Sequence, residues 1–228
     1  MNLLCGSFAV VAALMYNELT LAFWLIVAGI VFDFFDGFVA RLLHSSSAIG
    51  VQLDSLADVI TSGLAPAAVL WQVCLQTEPC WLPEGWKLGY GVFVLAAFSA
   101  LRLAKFNIDE TQTVEFCGLP TPAGSLLCAS LGMLWQQGML ALSSDGVLLV
   151  AVLTSLLLVS PIRMFALKFH GFGWRGNEVR YLFLLASIVL IIILRTYAIP
   201  VIIVLYIVVS AVRWLCMRSG NPDKAPKA

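Results

Sequence analysis

The sequence has few charged residues for its length. Charged side chains make up only 11% of the 228 residues, hydrophobic ones make up 61%, and the mean hydropathy is +0.97. A soluble domain of ordinary composition carries about 25% charged residues, which cover its surface. This shortage of charge excludes an ordinary soluble protein and indicates one that places most of its surface in lipid.

An excess of either charge is also missing, as are the usual cysteine and histidine metal patterns. Lys and Arg together number 13, as do Asp and Glu, so the sequence lacks the basic charge of a nucleic-acid-binding protein. The six cysteines form no C-x-x-C pair, and neither His44 nor His170 stands at zinc-finger spacing from them. We therefore expect no nucleic-acid partner and no zinc finger.

Long apolar runs divide the chain into predicted membrane helices. Arg195 and Pro200 separate the last two runs, which would be too long for one crossing if joined. The predicted fold class is all-α, a polytopic membrane helix bundle with a single transmembrane catalytic domain at 1–218 and a disordered tail at 219–228. The eight predicted spans are 2–16, 19–43, 49–76, 87–104, 122–142, 146–162, 179–194 and 198–215.

The loops between these spans differ in charge. If both termini lie in the cytoplasm, eleven basic residues fall on the inside, and only Lys87 and Arg195 fall on the outside. Cytoplasmic loops of membrane proteins carry such an excess of Lys and Arg. We therefore expect a multi-pass protein of the cell (inner) membrane with its active site facing the cytoplasm.

Four aspartates lie inside the predicted spans. Asp33 and Asp36 belong to the second span, and Asp54 and Asp58 to the third. An ionised carboxylate within a membrane costs several kcal/mol unless it faces the bundle interior with a partner. The four acids therefore indicate a functional site rather than a structural one.

Helical spacing predicts that these carboxylates converge. The aspartates of each pair lie three or four residues apart, which places them on one helix face, and the short connecting loop makes the two helices antiparallel neighbours. Carboxylates this close repel one another unless cations lie between them. Hard oxygen donors suit Mg²⁺ or Mn²⁺, so the pattern predicts a divalent-metal site.

Small residues share these faces. Gly37, Ala40 and Gly50 are spaced so that each lies beside the aspartates of its own helix. One interpretation is close helix packing of the small-xxx-small kind. The other, which we favour because packing would not require the acids, is room for a substrate to lie against the backbone.

The complete pattern resembles the signature of the CDP-alcohol phosphotransferase family, with every signature position filled. The resemblance implies a CDP-linked donor, an alcohol acceptor and two divalent metal ions. The residues that carry it are Asp33-x2-Asp36-Gly37-x2-Ala40-Arg41-x8-Gly50-x3-Asp54-x3-Asp58.

The resemblance also implies roles for individual residues. Asp33, Asp36 and Asp54 would be metal ligands, and Asp58 a further ligand or the general base. The CDP moiety would lie along a separate group of residues. That group comprises Asn2, Gly37, Ala40, Arg41 and Gly50. A homodimer is the family expectation.

Further motifs resemble the branch of that family that uses serine. They are Leu53 to Asp58, Gly63 to Pro66, Arg102 to Asn107 and Phe116 to Pro122. The branch implies transfer of a phosphatidyl group from CDP-diacylglycerol to the hydroxyl of L-serine in one in-line displacement, giving phosphatidylserine and CMP.

The acceptor site is predicted from basic residues at the end of the fourth span. Arg102, Lys105 and Asn107 could bind the serine carboxylate or the donor phosphates, although basic residues at helix ends are commonly orientation anchors. Two alternatives stay open. One is the same chemistry with glycerol phosphate or inositol phosphate as acceptor, and the other is a cation transporter, since intramembrane carboxylates also mark ion paths.

Overall fold

The computed structural model describes residues 1–43, 47–81, 88–108, 115–165 and 177–220. Within these residues the chain is a bundle of helices with one small β-sheet. Two 3-10 helices, Leu88–Phe93 and Arg195–Tyr197, and one π-helix, Val59–Leu64, join the α-helices. The other elements are α1 (Asn2–Leu14), α2 (Leu19–Leu42), α3 (Ala48–Asp58), α4 (Ala65–Gln76), α5 (Val94–Ile108), β1 (Glu115–Cys117), α6 (Thr121–Gln136), α7 (Ser144–Leu158), β2 (Arg163–Phe165), α8 (Glu178–Leu194) and α9 (Ala198–Gly220).

Four helical stretches of the described residues are long and apolar enough to cross a membrane. They are Leu19–Ala40, Ile49–Gln76, Gly89–Ile108 and Glu178–Cys216, while Asn2–Leu14 and Ser144–Leu158 are apolar but shorter. The chain is therefore a mainly helical membrane protein. The predicted count of eight crossings is finer than this observation and stays a prediction.

Some helices end earlier than their predicted spans, for local reasons. The predicted span 122–142 ends at Gln136 because Gly138 adopts a φ of 68°, and the amide of Met139 closes the helix end on the Leu134 carbonyl at 2.9 Å. The predicted span 146–162 ends at Leu158, shortly before Pro161, a residue that disfavours helical backbone ahead of it.

Other boundaries fall close to the predictions. Arg195, with a φ of 50°, ends α8 where the sequence predicted a break. The last helix continues to Gly220, and positions 221–228 of the predicted tail lie outside the described residues.

The two-stranded sheet was not predicted. β1 and β2 pair antiparallel, with Cys117 opposite Arg163, and the Gly118 amide donates to the Ile162 carbonyl at 2.9 Å. Strands of three residues are too short to show an alternating pattern in sequence. The sheet ties the segment before α6 to the segment after α7, at the end of the bundle where α5 ends.

The core lies where α1, α2, α4 and α6 meet, and its packing depends on small residues. Ala9 and Ala13 of α1 and Ala68 of α4 are fully buried. Gly132 of α6 lies so close to α4 that an added Cβ would collide with Val69 Cγ1. Close packing without a large side chain is the usual arrangement of membrane helices.

Candidate active site

Three of the four aspartates meet at one end of the bundle. Asp33 and Asp36 come from neighbouring turns of α2, and Asp54 comes from α3. One carboxylate oxygen from each lies within 4.8 Å of the others. Asp36 and Asp54 are exposed and Asp33 is half-buried, so the cluster opens outward. Three hard oxygen donors at this separation fit a divalent cation such as Mg²⁺ or Mn²⁺.

Asp58 lies one turn farther along α3 and is not part of this close group. It is half-buried, and an oxygen of its carboxylate accepts a hydrogen bond from Asn2 Nδ2 at 2.9 Å. It also interacts electrostatically with the guanidinium of Arg102. The structure therefore places Asp58 between the three clustered aspartates and the basic end of α5.

Asn2 lies against the aspartates. Its Nδ2 atom donates to Asp33 Oδ1 and to Asp58 Oδ1, both at 2.9 Å, and its side chain is buried. The sequence predicted Asn2 as part of the CDP site. Its contacts join two aspartates whose sequence separations from Asn2 are 31 and 56 residues, and no local spacing rule could have predicted them.

The small residues of the signature border open space. Leaving aside the adjacent residues and the nearby backbone of its own helix, a Cβ built on Gly37 has no described heavy atom within 4 Å, and one built on Gly50 would meet only Ser47 Oγ, at 3.2 Å. Ala40 is half-exposed. Among the described residues, no neighbouring helix fills the space at Gly37 or Gly50, which favours room for a substrate over small-xxx-small packing. Arg41 belongs to α2, but its side chain lies outside the described part of the chain.

A buried guanidinium stands beside the aspartates. Arg102 is only 9% exposed, and its Nη1 donates to Thr121 Oγ1 at 2.9 Å. Within the described ranges its Nε has no hydrogen-bond partner. An orientation anchor would extend its charge toward water. Arg102 instead keeps its charge inside the protein beside Asp58, with one N–H donor that no described residue accepts.

A small pocket surrounds this guanidinium. Lys105 lies at its rim and is exposed, and Phe106 stacks near the guanidinium, with the ring centroid 5.7 Å from Cζ. Sequence reasoning singled out the segment before α6 but missed Leu158, Val159 and Ser160, because only the fold brings the end of α7 to α5. The pocket is lined by Arg102, Lys105, Phe106, Cys117, Leu158, Val159 and Ser160.

Asn107 connects the two helices of the site. Its Nδ2 donates to Ser55 Oγ at 2.8 Å, and both side chains belong to the outer part of the bundle end. Ser55 follows Asp54 directly on α3. The structure thus gives Asn107 a contact that links α5 to α3, and its predicted contact with the acceptor stays a prediction.

Comparison with known proteins shows which family the chain is similar to. The family model for CDP-alcohol phosphatidyltransferase matches residues 1–162. A CDP-diacylglycerol–serine O-phosphatidyltransferase of Bacillus subtilis is 33% identical over 173 residues, which cover 75% of this chain and 88% of the relative.

Two further relatives carry the same name. The one from Helicobacter pylori strain 26695 is 31% identical over 206 residues, covering 87% of this chain and 81% of the relative. The one from Mycobacterium tuberculosis H37Rv is 33% identical over 240 aligned positions, covering 98% of this chain and 81% of the relative. The predicted resemblance is confirmed, and the chain belongs to the CDP-alcohol phosphatidyltransferase family.

Proposed function

We propose that this protein is a membrane phosphatidyltransferase that moves the phosphatidyl group of CDP-diacylglycerol to the hydroxyl of L-serine, releasing CMP. The names of the relatives support the donor and the acceptor. The single observation that carries the chemistry is the group of three aspartate oxygens within 4.8 Å of one another, contributed by two helices. Beside it lies the buried guanidinium of Arg102.

The metal site in this proposal holds two divalent ions, Mg²⁺ or Mn²⁺. Asp33, Asp36 and Asp54 supply the close oxygens, and Asp58 supplies a further one or remains free to act as base. Bound cations would offset the negative charge of the donor's pyrophosphate and of the departing CMP. Because the proposed ligands are all oxygen atoms, the site favours Mg²⁺ or Mn²⁺ over zinc and copper, which prefer sulfur or nitrogen ligands.

The donor lies over the open side of α2 and α3. The space beside Gly37, Ala40 and Gly50 accepts the CDP moiety against the backbone, while the acyl chains remain in lipid. Arg41 follows on the same helix and completes the proposed CDP contacts.

The acceptor lies between Asp58 and Arg102. The Nε of Arg102, which has no hydrogen-bond partner among the described residues, and the ammonium of Lys105 receive the carboxylate of serine. Asp58 accepts the proton of the serine hydroxyl as its oxygen attacks the phosphorus that carries diacylglycerol. The bond from phosphorus to the CMP oxygen breaks, so phosphatidylserine and CMP leave without a covalent enzyme intermediate.

The proposed topology has eight crossings with the site on the cytoplasmic side. The φ of 50° at Arg195 separates α8 from α9 and supports two crossings there. The excess of basic residues in the loops that would be cytoplasmic supports the orientation. Cysteine labelling from either side of a sealed membrane, at single positions in each loop, tests both statements.

The decisive experiment measures metal-dependent CMP release from CDP-diacylglycerol with and without serine. We expect CMP only when a divalent ion and serine are both present, with phosphatidylserine identified by mass spectrometry. Product formed from glycerol phosphate or inositol phosphate instead would reassign the acceptor. Cation flux in vesicles without CMP release would indicate a transporter and refute the enzyme.

The base is tested with Asp58→Asn, which keeps the shape of the side chain and removes its ability to accept a proton. We expect turnover to fall by about a hundredfold or more, since a positioned general base contributes roughly that much. Near-normal turnover would refute the role. Mn²⁺ binding measured in parallel shows whether the same substitution also removes a metal ligand.

A further inference from the structure

Both N–H donors of the Asn2 side chain are used within the protein itself. An asparagine amide has two N–H donors, and Asp33 and Asp58 accept one each. Asn2 is 3% exposed, and its Oδ1 is buried with no hydrogen-bond partner among the described residues. A Cβ built on Gly29 would lie 3.3 Å from that oxygen, so α2 covers it. Neither a free donor nor an accessible acceptor remains for a nucleotide.

The backbone of Asn2 is held by the segment that follows Asp58. Thr61, in the π-helix Val59–Leu64, donates from its Oγ1 to the Asn2 carbonyl at 3.1 Å. One turn along α1, a Cβ on Gly6 would lie 2.8 Å from Thr61 Cα and 2.9 Å from its amide nitrogen. A Cβ on Gly29 would lie 2.7 Å from Thr61 Cγ2. Two glycines thus allow α1 and α2 to close around Thr61.

A neutral amide suits this position for an electrostatic reason. Asp33 and Asp58 accept from one nitrogen atom, so their oxygens stay near each other, and like charges at that separation repel. A lysine or arginine would relieve the repulsion but would also compete with a cation for the carboxylates. The amide supplies the hydrogen bonds without bringing a positive charge to the site.

We propose that Asn2 is a positioning residue that holds Asp58 at a fixed distance from Asp33, and that it does not contact CDP. This inference rests on the proposed function, in which Asp33 is a metal ligand and Asp58 the base. By donating to both carboxylates, the amide on the first turn of α1 keeps Asp33 in the metal cluster and Asp58 beside Arg102. The contact of Thr61 with the Asn2 carbonyl keeps that turn in place.

The first test separates positioning from nucleotide binding by kinetics on the full chain. We expect Asn2→Ala and the nearly isosteric Asn2→Asp to lower kcat by about tenfold to a hundredfold, since each loses hydrogen bonds to charged groups. The KM for CDP-diacylglycerol should change by less than about twofold, because the substitution removes no contact between the protein and the bound donor. A large rise in that KM with an unchanged kcat would overturn the proposal, as would wild-type kinetics.

The second test uses Mn²⁺ alone, followed by electron paramagnetic resonance, with no lipid substrate and no serine. Removing a group that orients a metal ligand weakens metal binding by about tenfold or more. We therefore expect Asn2→Ala to lower the affinity for Mn²⁺ by at least about that factor. This result does not depend on which alcohol is the acceptor. If wild-type protein binds Mn²⁺ but releases no CMP, the proposed function fails. The difference in Mn²⁺ affinity between the wild type and Asn2→Ala still decides whether Asn2 positions the carboxylates.

A third test displaces Asn2 without changing it. Gly6→Ala forces α1 away from the Thr61 backbone, which cannot rotate aside, and should reproduce the fall in kcat and in Mn²⁺ affinity. Thr61→Val removes only the bond to the Asn2 carbonyl and should produce a smaller fall with a folded protein. The matched control is Ser7→Ala, since that exposed hydroxyl bonds only the Leu3 carbonyl of its own helix. Unchanged kcat in Thr61→Val together with unchanged kcat in Asn2→Ala would overturn the proposal.

Discussion

Glycines serve opposite purposes in two regions of this protein. In the packed region, where α4 meets α6, Gly132 has no room for a methyl group because Val69 fills the space. In the open region, Gly37 lies on the same helix as two aspartates and borders empty space within the described chain. The same residue type, in both cases within an apolar helix, therefore supports packing in one place and, in the proposed function, substrate access in the other.

The largest expected effect comes from the open region. Asp54→Asn removes a charged oxygen from the three-aspartate cluster, and we expect CMP release to fall by about a thousandfold, or about 4 kcal/mol of transition-state stabilisation. Asp145→Asn makes the same chemical change at the other end of the bundle and should keep wild-type activity at neutral pH. Equal activity in the two variants would contradict the assignment of the site.

The packed region should respond through stability. Gly132→Ala places a methyl group against Val69, and overpacking of this kind costs about 1–3 kcal/mol. We expect a lower thermal unfolding midpoint in detergent, with activity retained below that midpoint. Because the collision is with a side chain, adding Val69→Ala should restore stability. If the double variant is no more stable than Gly132→Ala alone, the collision is not the cause.

Gly37→Ala should give the opposite pattern. The added methyl group meets no described atom, and alanine is a better helix former than glycine by roughly 0.5–1 kcal/mol, so stability should not fall. The KM for CDP-diacylglycerol should rise by about tenfold, or about 1.4 kcal/mol, because the methyl group occupies the proposed CDP space. A destabilised protein with a normal KM would indicate packing instead.

The smallest expected effect concerns pH at the end of the bundle away from the site. Hydrogen bonds from the Ser143 side chain, and from the amides of Trp81, Cys80 and Gly146, lower the pKa of Asp145 to about 2. Because this pKa lies below the unfolded value of about 3.9, its contribution to stability is present above pH 4 and is lost as the pH falls toward 2. Unfolding midpoints measured between pH 5 and pH 2 should fall less for Asp145→Asn than for the wild type.

The sequence contained enough to predict the aspartate cluster but not its surroundings. Residues three or four positions apart share a helix face, and a short loop makes the two helices neighbours, so Asp33, Asp36 and Asp54 could be placed together from the local sequence. The partners of Asn2, and of Arg102 on Thr121, come from distant segments, and only the packed bundle brings them together. The roles of Gly37 and Gly132 could not be distinguished in advance, because a glycine in a helix has the same local signal whether it faces a neighbour or a substrate.

The π-helix at Val59–Leu64 has a consequence for any attempt to rebuild the third span. Its amides bond one residue farther back than those of an α-helix, as Ala65 does to the Ile60 carbonyl, so each residue turns the chain through a smaller angle. Straightening the segment into regular α-helix would swing Asp58 around the axis relative to the face that α4 buries. A redesign that kept every side chain but made this turn regular α-helix would therefore change the direction of Asp58 relative to α4, the part of the span that packs into the core.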